Sequence, residues 1–186
     1  MIDCLLKFAS PHQLTQLKSA FSAANFKKST EKLENIAMRI IEKNLTSLLL
    51  SQHILVQAFE ELIPAEKEKI IDCFKDKMID LSRNKEGLAL AYKLINFSNN
   101  KQKKAMVKGL KDKIVGMIRE GKEYLLIMKI MHSIDDRELI SKFIMKEIKG
   151  NLSDILKSQN GLNLISSFLI PNNNILATLD NSKTTW

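Results

Sequence analysis

Gly87-Leu88-Ala89-Leu90-Ala91-Tyr92 has counterparts at three other places in the chain. Gln52-His53-Ile54-Leu55-Val56-Gln57 precedes it, and Glu123-Tyr124-Leu125-Leu126-Ile127-Met128 and Gly161-Leu162-Asn163-Leu164-Ile165-Ser166 follow it. The four blocks start 35, 36 and 38 residues apart. Each is mainly apolar and is followed by a polar break and an amphipathic segment. A period in this range predicts an all-α helical-repeat solenoid. One such unit cannot bury its apolar face alone, so it stacks on its neighbours. An all-α bundle with chance self-similarity is the alternative.

Helical periodicity extends outward from these blocks. Ser10-Pro11-His12-Gln13 predicts a capped start with Pro at the first helical position, leading to a helix that ends near Ala24. Leu33, Ile36, Ala37, Ile40 and Ile41 form the next apolar stripe. A third helix is expected from about His53 to Leu62. Pro64 opens another, with Ile70, Ile71, Phe74 and Met78 on one face. Asn84 is the expected cap for a helix holding Leu88, Ala91, Leu94 and Ile95. Ser98 or Asn99 caps a longer one that buries Met106, Val107, Leu110, Ile114, Met117 and Ile118. Asp135-Asp136-Arg137-Glu138 predicts a capping box before Leu139, Ile140, Phe143, Ile144 and Ile148. No segment alternates with the two-residue period of a strand.

The chain has 186 residues and a formal charge of +8, with 45% hydrophobic and 27% charged residues. It is long enough for one domain with a sizeable core. The charge points to polyanionic partners. Arg occurs only at Arg39, Arg83, Arg119 and Arg137. Lys behaves as a point charge toward phosphate, whereas Arg is the better reader of base edges. The balance favours contact with a nucleic-acid backbone. Two cysteines, Cys4 and Cys73, do not suggest a disulfide framework and fit a reducing compartment. No signal peptide is visible, and the apolar runs are too short to span a bilayer.

Three stretches carry a resemblance to a known family. The first runs from Glu31-Lys32-Leu33-Glu34 to His53-Ile54-Leu55-Val56-Gln57. The second is Gly87-Leu88-Ala89-Leu90-Ala91 with the basic segment Lys101 to Ile114. The third is Ile134-Asp135-Asp136, Leu139-Ile140, Glu147-Ile148, Asn160-Gly161, Leu164-Ile165 and Leu169-Ile170-Pro171. In order and spacing they resemble Pumilio-type repeats, and more closely the divergent Puf-A/penguin group, over about residues 30–171. The resemblance implies a curved, armadillo-like stack of three-helix repeats. It implies binding of RNA (rRNA or pre-ribosomal RNA) or DNA with little sequence preference, pre-ribosomal protein partners, and a role in large-subunit ribosome biogenesis or translational control. The implied location is the nucleus or nucleolus, with the cytoplasm as alternative. Family members carry further repeats, so the chain is expected to be a truncated or reduced homologue, one domain over 1–171 with a polar tail over 172–186. A protein-binding scaffold of the armadillo or HEAT kind is the alternative function.

In Pumilio proteins that read sequence, each repeat offers a base edge two polar side chains one helical turn apart. A third, beside the first, stacks between bases. The corresponding triplets here are His53, Ile54, Gln57; Leu88, Ala89, Tyr92; Tyr124, Leu125, Met128; and Leu162, Asn163, Ser166. Only His53 with Gln57 has reading chemistry. Between Ser98 and Lys122 lie eight cations, Lys101, Lys103, Lys104, Lys108, Lys111, Lys113, Arg119 and Lys122, against Asp112 and Glu120. Such a cluster holds phosphates without reading bases. The candidate nucleic-acid-binding residues are Lys101, Lys103, Lys104, Lys108, Lys111, His53 and Gln57, with Lys85, Lys93, Lys122 and Lys129.

No catalytic residue, metal site, cofactor, small-molecule substrate or membrane partner is expected. His12, His53 and His132 lack companions at metal-ligand spacing. Gly109 and Gly116 are expected inside a helix and not in a phosphate loop. Asp135-Asp136 reads as a helix cap and not as an acid pair. Met106, Met117, Met128 and Met131 fall at core spacing. Few aromatics are present to build a base-stacking platform. Affinities for random RNAs of equal length and structure should therefore span a narrow range. An enrichment experiment returning a tight consensus of about one base per repeat would overturn that expectation.

Overall fold

The computed structural model describes residues 30–43 and 45–169. The helix expected between Ser10 and Ala24 and the tail over 172–186 lie outside the described residues. The described residues are helical, with no strand among them. The helices are α1 (Thr30–Glu42), α2 (Leu49–Glu61), α3 (Pro64–Phe74), α4 (Met78–Ser82), α5 (Lys85–Phe97), α6 (Asn100–Gly109), α7 (Ile114–Glu120) and α8 (Tyr124–Ser133). They continue with α9 (Arg137–Ile140), a π-helical turn (Ser141–Met145), α10 (Lys146–Gly150), α11 (Leu152–Leu156) and α12 (Gln159–Leu169). The chain forms two compact units that divide between Ile70 and Ile71.

In the first unit α1 packs on α2. Helix α2 buries Leu50, Ile54, Leu55, Ala58 and Phe59 and turns Gln57, Glu60 and Glu61 outward. The buried Gln52 side chain donates to the Thr46 carbonyl at 3.1 Å and fastens the turn that leads into α2. Pro64 then occupies the first position of α3, where its missing N–H leaves no helical bond unmade.

The second unit carries three repeats: α4-α5-α6, then α7-α8 with the α9–α10 segment, then α11-α12. The second helices, α5, α8 and α12, lie side by side with α8 in the middle. That position explains why Leu125, Leu126, Ile127, Met128, Lys129 and Ile130 are buried in succession. The third helix α6 packs on α9 and on the π-helical turn, and α7 packs on α8, α10, α11 and α12.

The sequence-based helix boundaries hold in several places and shift in three. Asn84 Oδ1 accepts from the Gly87 N–H at 2.8 Å and caps α5. Asn99 and Gln102 form a full capping box on α6. Met78 does not continue α3: Lys77 leaves helical geometry, and a separate α4 packs Met78 and Leu81 onto α5. The long helix expected from Asn99 to Ile118 is two helices, α6 and α7, joined through Asp112 with φ 62°. At the third shift the cap is Asp136, which accepts from the Leu139 N–H at 3.0 Å. Its N3 residue is Leu139, so the expected capping box is a single cap.

The α6–α7 break rests on a side chain from the next repeat. Glu147 on α10 accepts hydrogen bonds from the backbone N–H groups of Asp112 at 2.9 Å, Ile114 at 2.9 Å and Val115 at 3.3 Å. Lys113, at the N-cap position of α7, offers no side-chain cap. Glu147 thus supplies the acceptors, and a negative charge, where the helix N-terminus needs both. It also offsets the left-handed conformation of Asp112, which Asp tolerates better than most residues.

Further bonds join one repeat to the next. Tyr92 Oη donates to the Leu125 carbonyl at 3.0 Å. Lys103 Nζ donates to the Ser133 carbonyl at 3.1 Å. Asn160 Nδ2 donates to the Gly121 carbonyl at 2.8 Å. At Gly161 a Cβ would sit 1.9 Å from the Ile155 carbonyl oxygen, so α12 can approach α11 this closely only with glycine. Glu147→Ala should destabilise the fold by about 2–3 kcal/mol, the range for charged hydrogen bonds left without a partner. Glu147→Gln, which keeps one acceptor, should cost less. Chemical denaturation of the two variants measures the difference, and equal, small effects would rule out the capping role.

Candidate functional site

Helix α6 presents the most concentrated positive charge. Lys101, Lys104 and Lys108 are exposed at i, i+3 and i+7 and, with Asn100 and Ala105, line one open surface depression of about 450 Å³. Lys111 and Lys113 are exposed in the turn that follows. The helix stays soluble on this side and buries Met106 and Val107 on the other, the ordinary division of an amphipathic helix.

Local carboxylates moderate this face without neutralising it. Lys104 Nζ lies 3.3 Å from Asp136 Oδ2, both side chains partly open to solvent, and Lys111 pairs with Asp112 at 3.8 Å. Exposed pairs of this kind are weak, so either lysine can exchange its partner for another anion. The Asp136 carboxyl is held below its usual range first by the Leu139 N–H and then by Lys104. Near the start of α6, Asp72 is lowered chiefly by its hydrogen bond from Lys75, with Gln102 and Lys101 adding to the effect. The α6 lysines therefore stand among ionised acids and keep a net excess of charge.

The other predicted residues are dispersed. Lys103 is half-buried, with its ammonium on the Ser133 carbonyl. Lys129 is not a surface cation: it is 7% exposed, and its ammonium stands 5.5 Å from the Tyr92 ring centroid. The flanking helices α5 and α12 enclose it. Lys85 is exposed at the start of α5, Lys93 is half-buried on α5, and Lys122 is exposed in the turn before α8. His53, half-buried, and Gln57, exposed, lie on α2 in the first unit.

Burial also corrects the register of the proposed reading triplets. Leu88, Tyr92, Leu125 and Met128 are core residues. The outward stripe of α5 is Ala89, Lys93 and Asn96, matching His53, Gln57 and Glu60 at an offset of 36 residues instead of 35. On α12 Leu162 is exposed while Asn163 and Ser166 are half-buried.

A second basic stripe went unnoticed in the sequence. Lys142, Lys146 and Lys149 are exposed along the π-helical turn and α10, with spacing i, i+4 and i+7. Glu147, the only acid between Ser141 and Gly150, has its carboxylate turned to the α7 backbone. The spacing was a readable signal, masked by the acids Asp135, Asp136 and Glu138 just before it. Among the described residues no cluster of His, Cys, Asp or Glu could hold a metal ion, and no helix is long and apolar enough to cross a membrane.

Comparison with known proteins agrees with this repeat architecture. No family model matches the chain. Pumilio domain-containing protein 12 of Caenorhabditis elegans is 24% identical over 139 residues, which are 75% of this chain and 18% of the worm protein. Pumilio homolog 24 of Arabidopsis thaliana is 23% identical over 141 residues, 74% of this chain and 22% of the plant protein. The crystal structure of human Puf-A superposes with a TM-score of 0.67 at 17% identity, covering 100% of this chain and 38% of that one. The chain is a divergent Pumilio-like protein. A second human Puf-A structure, in complex with DNA, gives a TM-score of 0.68 at 19% identity over 80% of this chain and 31% of that one. The Pumilio-like chain spans about a fifth of each of the two relatives matched by sequence, 18% and 22%.

Asp136 offers a pH test of the α6–α9 contact. Its folded pKa lies below the ordinary 3.8, so its stabilising effect is present above that value and is lost as pH falls through the lower folded value. Asp136→Ala should lower the melting temperature near neutral pH, and the gap to the parent should close in strong acid. A gap that persists there would remove the carboxylate as its cause.

Proposed function

We propose that this chain binds nucleic acid, RNA foremost and DNA by the same chemistry, through lysine contacts to phosphates and with little base selectivity. It acts as a binding module and not as an enzyme. Its proposed setting is assembly of the large ribosomal subunit in the nucleus or nucleolus, with pre-ribosomal RNA and proteins as partners and translational control as a further role.

The observation that carries this reading is the exposed lysine row Lys101, Lys104, Lys108 on α6, continued by Lys111. Lysines on one helix face suit the regular charge of a phosphodiester backbone and carry no base code. Burial of Leu88, Tyr92, Leu125 and Met128 supports the lack of base reading, since a core side chain cannot reach a base edge. The likeness to Pumilio proteins, and to a human Puf-A solved with DNA, supports the ligand class. The ribosomal setting rests on the family resemblance.

The test is a variant with Lys101, Lys104, Lys108 and Lys111 all changed to Gln. It should bind unrelated RNAs uniformly more weakly. The slope of log K against log salt should fall by about 0.7 for each single-strand phosphate that the variant no longer neutralises. Lys103→Met should lower stability while leaving the salt slope near the parent's, because the Lys103 ammonium is committed to Ser133. Parent-like binding by the quadruple variant would exclude α6 as the contact surface.

A further inference from the structure

Aromatic residues make up 6% of the chain, and most of those described are used in packing. Phe59, Phe74 and Tyr92 are core residues. Phe97 differs: it is 55% exposed although it follows the fully buried Leu94 and Ile95 by only two to three positions. A lone exposed apolar residue is ordinary on a protein surface. Its placement is what sets Phe97 apart.

Phe97 is the last residue of α5. Lys93 lies one helical turn before it on the same side of α5. After Phe97 the chain passes through Ser98 and Asn99 into α6, whose first turns carry Lys101 and Lys104. The ring therefore stands between a cation on α5 and the lysine row on α6. Both sides of the turn are pinned. Ser98 Oγ donates to the Leu94 carbonyl, and Asn99 and Gln102 exchange hydrogen bonds at 2.9 and 3.0 Å. A ring held by a rigid corner loses little freedom when a flat ligand covers it.

We infer that Phe97 stacks on an unpaired base of a single-stranded nucleic acid, whose flanking phosphates are held by Lys93 on one side and by Lys101 and Lys104 on the other. Stacking of this kind tolerates any base, because every base has a π face. It therefore adds affinity without restoring a sequence code. It also adds a preference that lysines alone lack: a duplex keeps its bases stacked inside and offers Phe97 nothing. This inference rests on the nucleic-acid-binding reading above and names the strandedness of the ligand.

The experiment compares the full chain with Phe97→Ala and Phe97→Leu, using an unstructured oligonucleotide and a duplex of equal length over a range of salt. Both variants should lose roughly five- to a hundredfold in affinity for the single strand. Duplex affinity and the salt slope should stay at the parent's values, since every phosphate-binding lysine is kept. A Phe97→Trp variant in a Trp186→Phe background should keep its affinity, and its fluorescence should be quenched by the single strand only. Parent-like binding by Phe97→Ala, equal losses for single strand and duplex, full rescue by Leu, or unquenched emission would each overturn the stacking role. A parent that binds neither ligand in a salt-dependent way would instead defeat the nucleic-acid reading, and the inference with it.

Discussion

The carboxylate of Glu147 holds together two elements that would not otherwise persist. A helix needs acceptors for its first N–H groups, and the residue before α7, Lys113, supplies none from its side chain. Asp112 sits in a left-handed conformation just ahead of it. Glu147, from the following repeat, meets three of the N–H groups at this corner. Helix α7 in turn packs on four neighbouring helices, including α8 and α12. The end of the α6 lysine row is therefore fixed by a residue more than thirty positions away.

The same logic recurs wherever one repeat meets the next. Tyr92 to Leu125, Lys103 to Ser133 and Asn160 to Gly121 each pair a side chain with a backbone carbonyl of the neighbouring repeat. Each bond satisfies a polar group that stacking has brought near the core, where an unpaired group is costly. Helix formation and repeat stacking thus depend on each other. Stability then resides in the interfaces between adjacent repeats as much as within each one.

Packing sorts the lysines into two kinds. Lys103 and Lys129 direct their ammonium groups to a carbonyl and to an aromatic face, and their aliphatic stems cover apolar surface. Lys101, Lys104, Lys108 and Lys111 remain in solvent, as do Lys142, Lys146 and Lys149. A net charge of +8 describes the sum of both kinds and the location of neither. The surface that meets a polyanion is smaller and better ordered than the charge count implies, and Phe97 marks one end of it.

The sequence by itself determined that the described chain is helical, where most helices begin, and which residues are apolar at core spacing. Those features are local: the 3.6-residue period, the capping side chains of Asn84, Asn99 and Asp136, and Pro64 at a first turn are all legible within a few positions. The lysine row on α6 was legible for the same reason. Only the tertiary structure decided that α3 stops before Met78, that α6 and α7 separate at Asp112, and that α5 faces outward through Ala89 and Lys93 instead of Leu88 and Tyr92. It alone showed Lys129 enclosed and Phe97 exposed. Periodicity says which side chains share a helix face. Whether that face meets water or protein depends on helices a full repeat away, and those contacts leave no local pattern in the chain.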